Sequence, residues 1–391
     1  MPERLKTLVL DANGFSWKEV GADTLVLGVL RAPSYDVVPE RLRHLRGFRA
    51  LRYRYDRLGY VGDWRDALCE SPSLEVRVCN ITNLVDFASC LRRIRDFDLV
   101  IVLHSAAGDS MTPLRHGARR LRGRRGKLVV FVGNEYDLMD EKLAFLRATR
   151  ADYVCSQLPA ESARWLYDGC GAEVLPLPHA LNPALYRPAP PERPVDIGFV
   201  GPRYPLFVGD VERTRLIDAV RSRAPRRGLV CDIREQTVPR TEWASFLARS
   251  TGTVGAESGT YFLDRRGAIL SRAKAFVAAH RAARFEELHE RFFATPGVDY
   301  VSGKCISSRH FEAIGTKTCQ ILVEGSYNGI LRPEQHYIGV RKDLSDLDAA
   351  LTRFEDDAYR REIADRAYAY VLDEHTYSHR VRALLEAIGA T

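Results

Sequence analysis

This chain of 391 residues lacks several patterns, and each absence removes a class of function. Its eight cysteines include no CxxC pair, which argues against a zinc ribbon, a thioredoxin-like centre or a disulfide frame. Cys79, Cys155, Cys231 and Cys319 fall in or beside apolar strand candidates and read as reduced, buried thiols. No apolar run is long enough to span a membrane. The amino terminus, Met1-Pro2-Glu3-Arg4-Leu5-Lys6, leads straight into a strand-like segment without the pattern of a secretory leader. A cytoplasmic protein is expected. No GxGxxG follows Asp11 or the Gly201 turn, so a dinucleotide-binding reading has little support. HExxH spacing is missing too, and no metal or other cofactor is expected. Tandem repeats and low-complexity tracts are absent.

What is present is ordinary in bulk: 46% apolar and 28% charged residues. The formal charge of +7 comes with Arg far more frequent than Lys. Its basic residues look scattered along the chain, which reads as a solvated surface and not as a nucleic-acid footprint. Attraction of anionic small substrates is compatible with it.

The length exceeds what one hydrophobic core usually covers, so two domains are expected. Short runs rich in Val, Ile and Leu alternate with helical patterns through the first half. Strand candidates are 7–11, 74–79, 99–104, 127–133, 153–156 and 173–177, with helices at 84–97, 113–124 and 160–167 among them. Such runs imply parallel strands buried on both faces. Residues 183–194 then carry five prolines and read as a hinge. A second α/β pattern follows, with strands at 195–200, 229–233, 251–256, 318–324 and 336–340. Its helices are at 211–223, 241–249, 285–293, 345–354 and 357–372. The expectation is two Rossmann-like domains facing each other across a cleft: 1–182, a hinge at 183–194, 195–376, and a terminal helix at 377–391 returning to the first domain.

Several loops at predicted strand ends carry chemistry. His104 follows one strand and Asn134-Glu135 the next. Either His104 or Glu135 would serve as a general base, although a lone strand-end His is more often structural. Asp11-Ala12-Asn13-Gly14 either contacts an acceptor or simply turns. Glu257 sits between small residues at another strand end, where α/β pockets form, and is either a further catalytic candidate or a solvated residue of a plain turn. Glu312 is placed near a helix start, suited to a ribose diol or else to capping its helix. Arg309 one turn earlier pairs with it or with a phosphate. The loop 324–329, with Glu324, Ser326, Asn328 and Gly329, offers polar groups and backbone N–H to phosphate oxygens.

The segment Leu177-Pro178-His179-Ala180-Leu181-Asn182-Pro183-Ala184-Leu185-Tyr186-Arg187-Pro188 resembles the interdomain signature of GT-B glycosyltransferases, with Asn182 and Tyr186 at positions usually Asp and Phe. Residues 196–201, 309–313 and 374–380 are similar to the carboxy-terminal domain of the bacterial group that includes CgeB-like proteins. The resemblance implies a metal-independent transferase moving sugar from a nucleotide-diphosphate donor to a small-molecule or glycan hydroxyl, with retention favoured. It implies that Glu312 binds the donor ribose and that Gly201 and Arg203 approach the diphosphate. Asn13, Gly14, Asn134 and His179 would face the acceptor. Lys304 stands where retaining relatives carry a second glutamate, and is expected to pair with a phosphate instead. An inactive nucleotide-sugar-binding module and a sugar-nucleotide 2-epimerase are the rival readings.

Overall fold

The computed structural model describes residues 4–12, 17–30, 40–43, 45, 47, 59–108, 111–188 and 192–390. Its first sheet contains β1 (Leu5–Asp11), β2 (Leu74–Asn80), β3 (Leu99–Val102), β4 (Lys127–Phe131), β5 (Tyr153–Ser156) and β6 (Glu173–Pro176), in the order β2-β1-β3-β4-β5-β6. The second contains β7 (Val195–Val200), β8 (Cys231–Arg234), β9 (Ser250–Gly255), β10 (Cys319–Val323) and β11 (Ile338–Val340), in the order β11-β10-β9-β7-β8. All named pairs are parallel. Every residue of β3 and β10 is buried, as strands covered by helices on both faces must be.

On one face of the first sheet pack helices Leu84–Arg92, Thr112–Arg122, Met139–Thr149 and Ala160–Tyr167. Gly59–Glu70 and the terminal Tyr377–Ala387 cover the other, with Trp64, Tyr377, Leu384 and Leu385 buried together. Around the second sheet, Glu212–Arg223 and Leu347–Glu355 lie on one face. Arg240–Ala248 and Ser308–Gly315 lie on the opposite face, and Asp357–Glu374 packs into both groups through Ile363 and Ala364 on one side and Ala367 and Val371 on the other.

Two helices escape the sequence pattern for a local reason. Met139–Thr149 and Ala268–Ala279 start after Leu138 and Gly267, both left-handed and neither providing a side-chain cap. The usual Ser, Thr, Asp or Asn start signal is therefore missing. The helix expected over 285–293 begins as Phe285–Leu288 and widens to a π-helix over His289–Phe293.

In each sheet the first strand lies inside the sheet and later strands are added on both sides of it. Parallel sheets of this kind open a crevice at their carboxyl ends where the order reverses. The chain passes between the sheets near Leu181 and again near Thr376. There, Leu181 N–H donates to His375 C=O at 2.9 Å and Tyr377 N–H to Leu181 C=O at 2.9 Å. Across the crevice Arg240 binds Asp63 at 2.9 Å and Asp66 at 2.7 Å, and Asn328 Nδ2 donates to Gln157 C=O at 3.0 Å. The two carboxyl ends therefore face each other at contact distance.

Candidate active site between the two sheets

A cavity of about 480 Å³ lies between the carboxyl ends of the two sheets, within the usual range for small-molecule sites. Both halves of the chain line it. The first contributes Tyr60, Asn134, Glu135, Gln157 and His179; the second contributes Tyr204, Arg213, Trp243, Arg309 and Glu312.

The wall from the second half is built on the helix Ser308–Gly315. Ser307 caps it reciprocally with His310, leaving the first turn open towards the cavity. Glu312 is the fifth residue of that helix, not its start, so the capping reading of its carboxylate is set aside. It is 4% exposed and accepts a 2.6 Å hydrogen bond from Trp243 Nε1. Burial raises its pKa, opposed by Arg309, Ser308 and Trp243. Arg309 donates to Val200 C=O at 2.5 Å and stacks over Trp243 at 4.9 Å. Gly201 lies beneath it: a Cβ there would meet Arg309 Nη1 at 3.2 Å, so the glycine leaves room for the guanidinium. Arg213 stacks on Tyr204 at 3.6 Å, and its buried Nε has no partner among the described residues.

On the opposite wall, the loop after β4 is held from below by Lys142. Its 1% exposed ammonium donates to the carbonyls of Gly133, Asn134 and Asp137 at 2.6, 2.9 and 2.7 Å. This fixes Asn134, which adopts a left-handed φ of 46°, and Glu135 behind it. Glu135 is 2% exposed and accepts from Tyr167 Oη at 2.7 Å and from Gln157 N–H at 3.2 Å. Burial pushes its pKa up to about 7. That is poised for proton transfer near neutrality. His179 and Tyr60 pack at 4.6 Å. Burial holds His179 neutral, with its pKa lowered to about 3.

Other expected site residues are placed elsewhere. His104 does not line the cavity; it is packed among Tyr60, Trp64, Phe131 and His179, and burial drives its pKa well below the usual value. Glu257 is also turned away: it accepts from Ser326 Oγ at 3.0 Å and Tyr327 N–H at 2.7 Å and so holds the 324–329 loop. Glu324, Ser326 and Gly329 are exposed outside the cavity lining, and Asn328 is spent on Ile306 N–H and Gln157 C=O. Lys304, expected at a phosphate, buries its ammonium against Asp210 at 2.5 Å and Glu257 C=O at 2.9 Å. Arg203 reaches the cavity rim, but its guanidinium is engaged by Asp218 and Glu235 at 2.8 to 3.1 Å. Asn13 and Gly14 lie outside the described residues. One trio with metal-ligating atoms within 4.8 Å of one another, Cys79, Asp86 and Cys90, lies away from this cavity. Trp243, Arg213, Tyr204 and Arg240 were not foreseen. Nothing local marks them, because Trp243 meets Glu312 only across 69 residues of sequence.

Residues 257–386 match the family model described as glycosyl transferase-like. Solved structures align over nearly the whole chain. An α-glucosyltransferase in complex with UDP and a 13-mer DNA has TM-score 0.52 at 10% identity, covering 100% of both chains. The phage T4 β-glucosyltransferase has 0.51 at 10%, covering 98% of this chain and 99% of its own. Sucrose-phosphate synthase from Thermosynechococcus elongatus has 0.50 at 12%, covering 99% and 100%. The fold is GT-B. The glycosyl transferase-like match falls mostly within the second half of this GT-B scaffold, and the cavity lies in the interdomain cleft. No curated protein matches the chain.

Proposed function

We propose that the protein transfers a sugar from a nucleotide-diphosphate donor to a hydroxyl acceptor held in the interdomain cavity. The observation carrying this reading is the juxtaposition, in one cavity, of the Trp243–Glu312–Arg309 group with Glu135 and Asn134 on the facing wall. Glu312 would accept from the ribose hydroxyls. Arg309, Arg213 and the open first turn of Ser308–Gly315 would receive the diphosphate and stabilise its charge as the glycosidic bond breaks, without a metal. UDP is the first donor nucleotide to try, since the α-glucosyltransferase of the same fold was solved with it. The acceptor would be a cell-surface glycan or a small metabolite bound against Asn134, Glu135 and His179. The hinge and tail motifs support a place beside the CgeB-like group.

Retention of anomeric configuration follows from that resemblance and needs no general base. Glu135 favours inversion as a second reading, because it is a buried carboxyl on the acceptor wall with a pKa raised to about 7. The anomeric configuration of the product, read by NMR, separates the two.

A thermal-shift screen of UDP, GDP, ADP, CMP and dTDP against wild type and Glu312→Ala tests the donor site. A nucleotide at a hundred times its Kd stabilises the fold by about 2.7 kcal/mol. One diphosphate should raise the melting temperature of wild type and not of the variant. No response to any nucleotide overturns the transferase reading; a response without nucleotide release in the presence of any acceptor favours an inactive binding module.

A further inference from the structure

The basic residues are not evenly scattered: six arginines fall within residues 115–125, and the fold turns most of them to one surface. Helix Thr112–Arg122 buries Leu114, Gly117 and Leu121 against the first sheet, so Arg115, Arg119, Arg120 and Arg122 all point outwards. Arg125 follows, and Arg92 ends the neighbouring helix Leu84–Arg92. Arg92, Arg115, Arg119, Arg120, Arg122 and Arg125 are exposed, and none forms an ion pair among the described residues. Three acids of this region are already paired: Asp86 with Arg77, Asp96 with Arg93 and Asp152 with Arg124.

Apolar side chains continue the same flank. Leu84 and Val85 begin the helix that Arg92 ends, and are 37% and 62% exposed. Leu25 and Val29, on the adjoining helix Trp17–Leu30, are 68% and 75% exposed. Leu84 N–H donates to Thr24 Oγ1 at 3.1 Å, which joins the two helices at this point. No residue of this flank lines the interdomain cavity.

We propose that this flank of the first domain docks on a bilayer bearing anionic headgroups. The arginine forks take headgroup phosphates while Leu25, Val29, Leu84 and Val85 enter the interface between headgroups and acyl chains. Nucleic acid fits the flank less well. A duplex offers nothing to cover the apolar residues, and Phe87, the one Phe, Tyr or Trp on helices Leu84–Arg92 and Thr112–Arg122, is buried and unavailable for base stacking. Docking here leaves the cavity free, and stands whether or not that cavity transfers sugar.

Vesicle co-sedimentation of the full chain tests this. The expected result is binding to phosphatidylcholine vesicles containing about one third phosphatidylglycerol at ~0.1 M salt, and release at ~1 M, where screening shortens to about 3 Å. Pure phosphatidylcholine should not bind. The combined Arg115→Gln, Arg119→Gln, Arg120→Gln and Arg122→Gln variant should lose about five-fold in partitioning per arginine, several hundred-fold in all. Val85→Asp, with all arginines intact, should weaken binding independently. The melting temperature of each variant shows that it is folded, and the salt series on wild type needs no variant. Absence of binding, binding indifferent to lipid charge, unchanged binding by the quadruple variant, or tighter binding to duplex DNA at matched phosphate would each overturn the proposal.

Discussion

Replacing Glu135 by Gln should stabilise the protein above neutral pH and cost it up to about 1 kcal/mol in acid. The Glu135 carboxyl is buried and its pKa rises from the usual 4.5 to about 7. A raised pKa means that the folded state holds the proton more tightly than the unfolded chain. The stability this supplies is full below pH ~4.5, falls as pH rises through about 7, and is gone above it. The rise corresponds to roughly 3 kcal/mol, which the folded state forgoes once the carboxyl must ionise in a buried site. Gln does not titrate. Its carbonyl can keep accepting from Gln157 N–H while its amide donates to Tyr167 Oη, which turns from donor to acceptor. That rearrangement costs about 1 kcal/mol, near the net worth of one hydrogen bond. The variant should therefore exceed wild type by about 2 kcal/mol at pH ~8, several degrees in Tm, and match or trail it at pH ~4. Calorimetry of both proteins from pH ~4 to pH ~8 reads the difference directly. A difference that stays flat with pH, or that shrinks as pH rises, refutes the assignment of this carboxyl as the titrating group. Under inversion the same variant also loses about 100-fold or more in transfer rate; under retention the rate is largely kept.

Two further substitutions test residues that the structure moves out of the cavity. Lys304→Met should cost about 3–5 kcal/mol, because Asp210, with its side chain 0% exposed, is left as an unpaired buried charge. Nucleotide affinity should change by less than about threefold; a larger loss in isothermal titration would return Lys304 to the phosphate site. Gly325→Ala places a Cβ 2.4 Å from Glu257 Oε2 and should destabilise by about 1–3 kcal/mol in urea unfolding. Pairing it with Glu257→Ala should recover part of the loss, and strict additivity would show that the two do not collide.

The two-sheet architecture was largely legible from composition and periodicity. Strands such as 153–156 and 195–200 match their predicted bounds because runs buried on both faces leave a continuous apolar signature. Cavity residues were legible where a loop must emerge at a strand's carboxyl end, as with Asn134 and Glu135, and where the family resemblance marked them, as with His179, Arg309 and Glu312. Glu257 shows the limit: it follows a strand as expected, yet its carboxylate faces Ser326 and Tyr327, about 70 residues away in sequence. Local pattern determined that Glu257, Lys304 and the arginines of helix Thr112–Arg122 would be present at the ends or faces of their elements. Which partner each buried charge meets was decided by tertiary structure, because a buried charge needs whatever opposite charge or hydrogen-bond donor the packing brings within about 3 Å. Lys304 finds Asp210 from 94 residues upstream, while Arg115, Arg119, Arg120 and Arg122 find no acid and gather into one basic face.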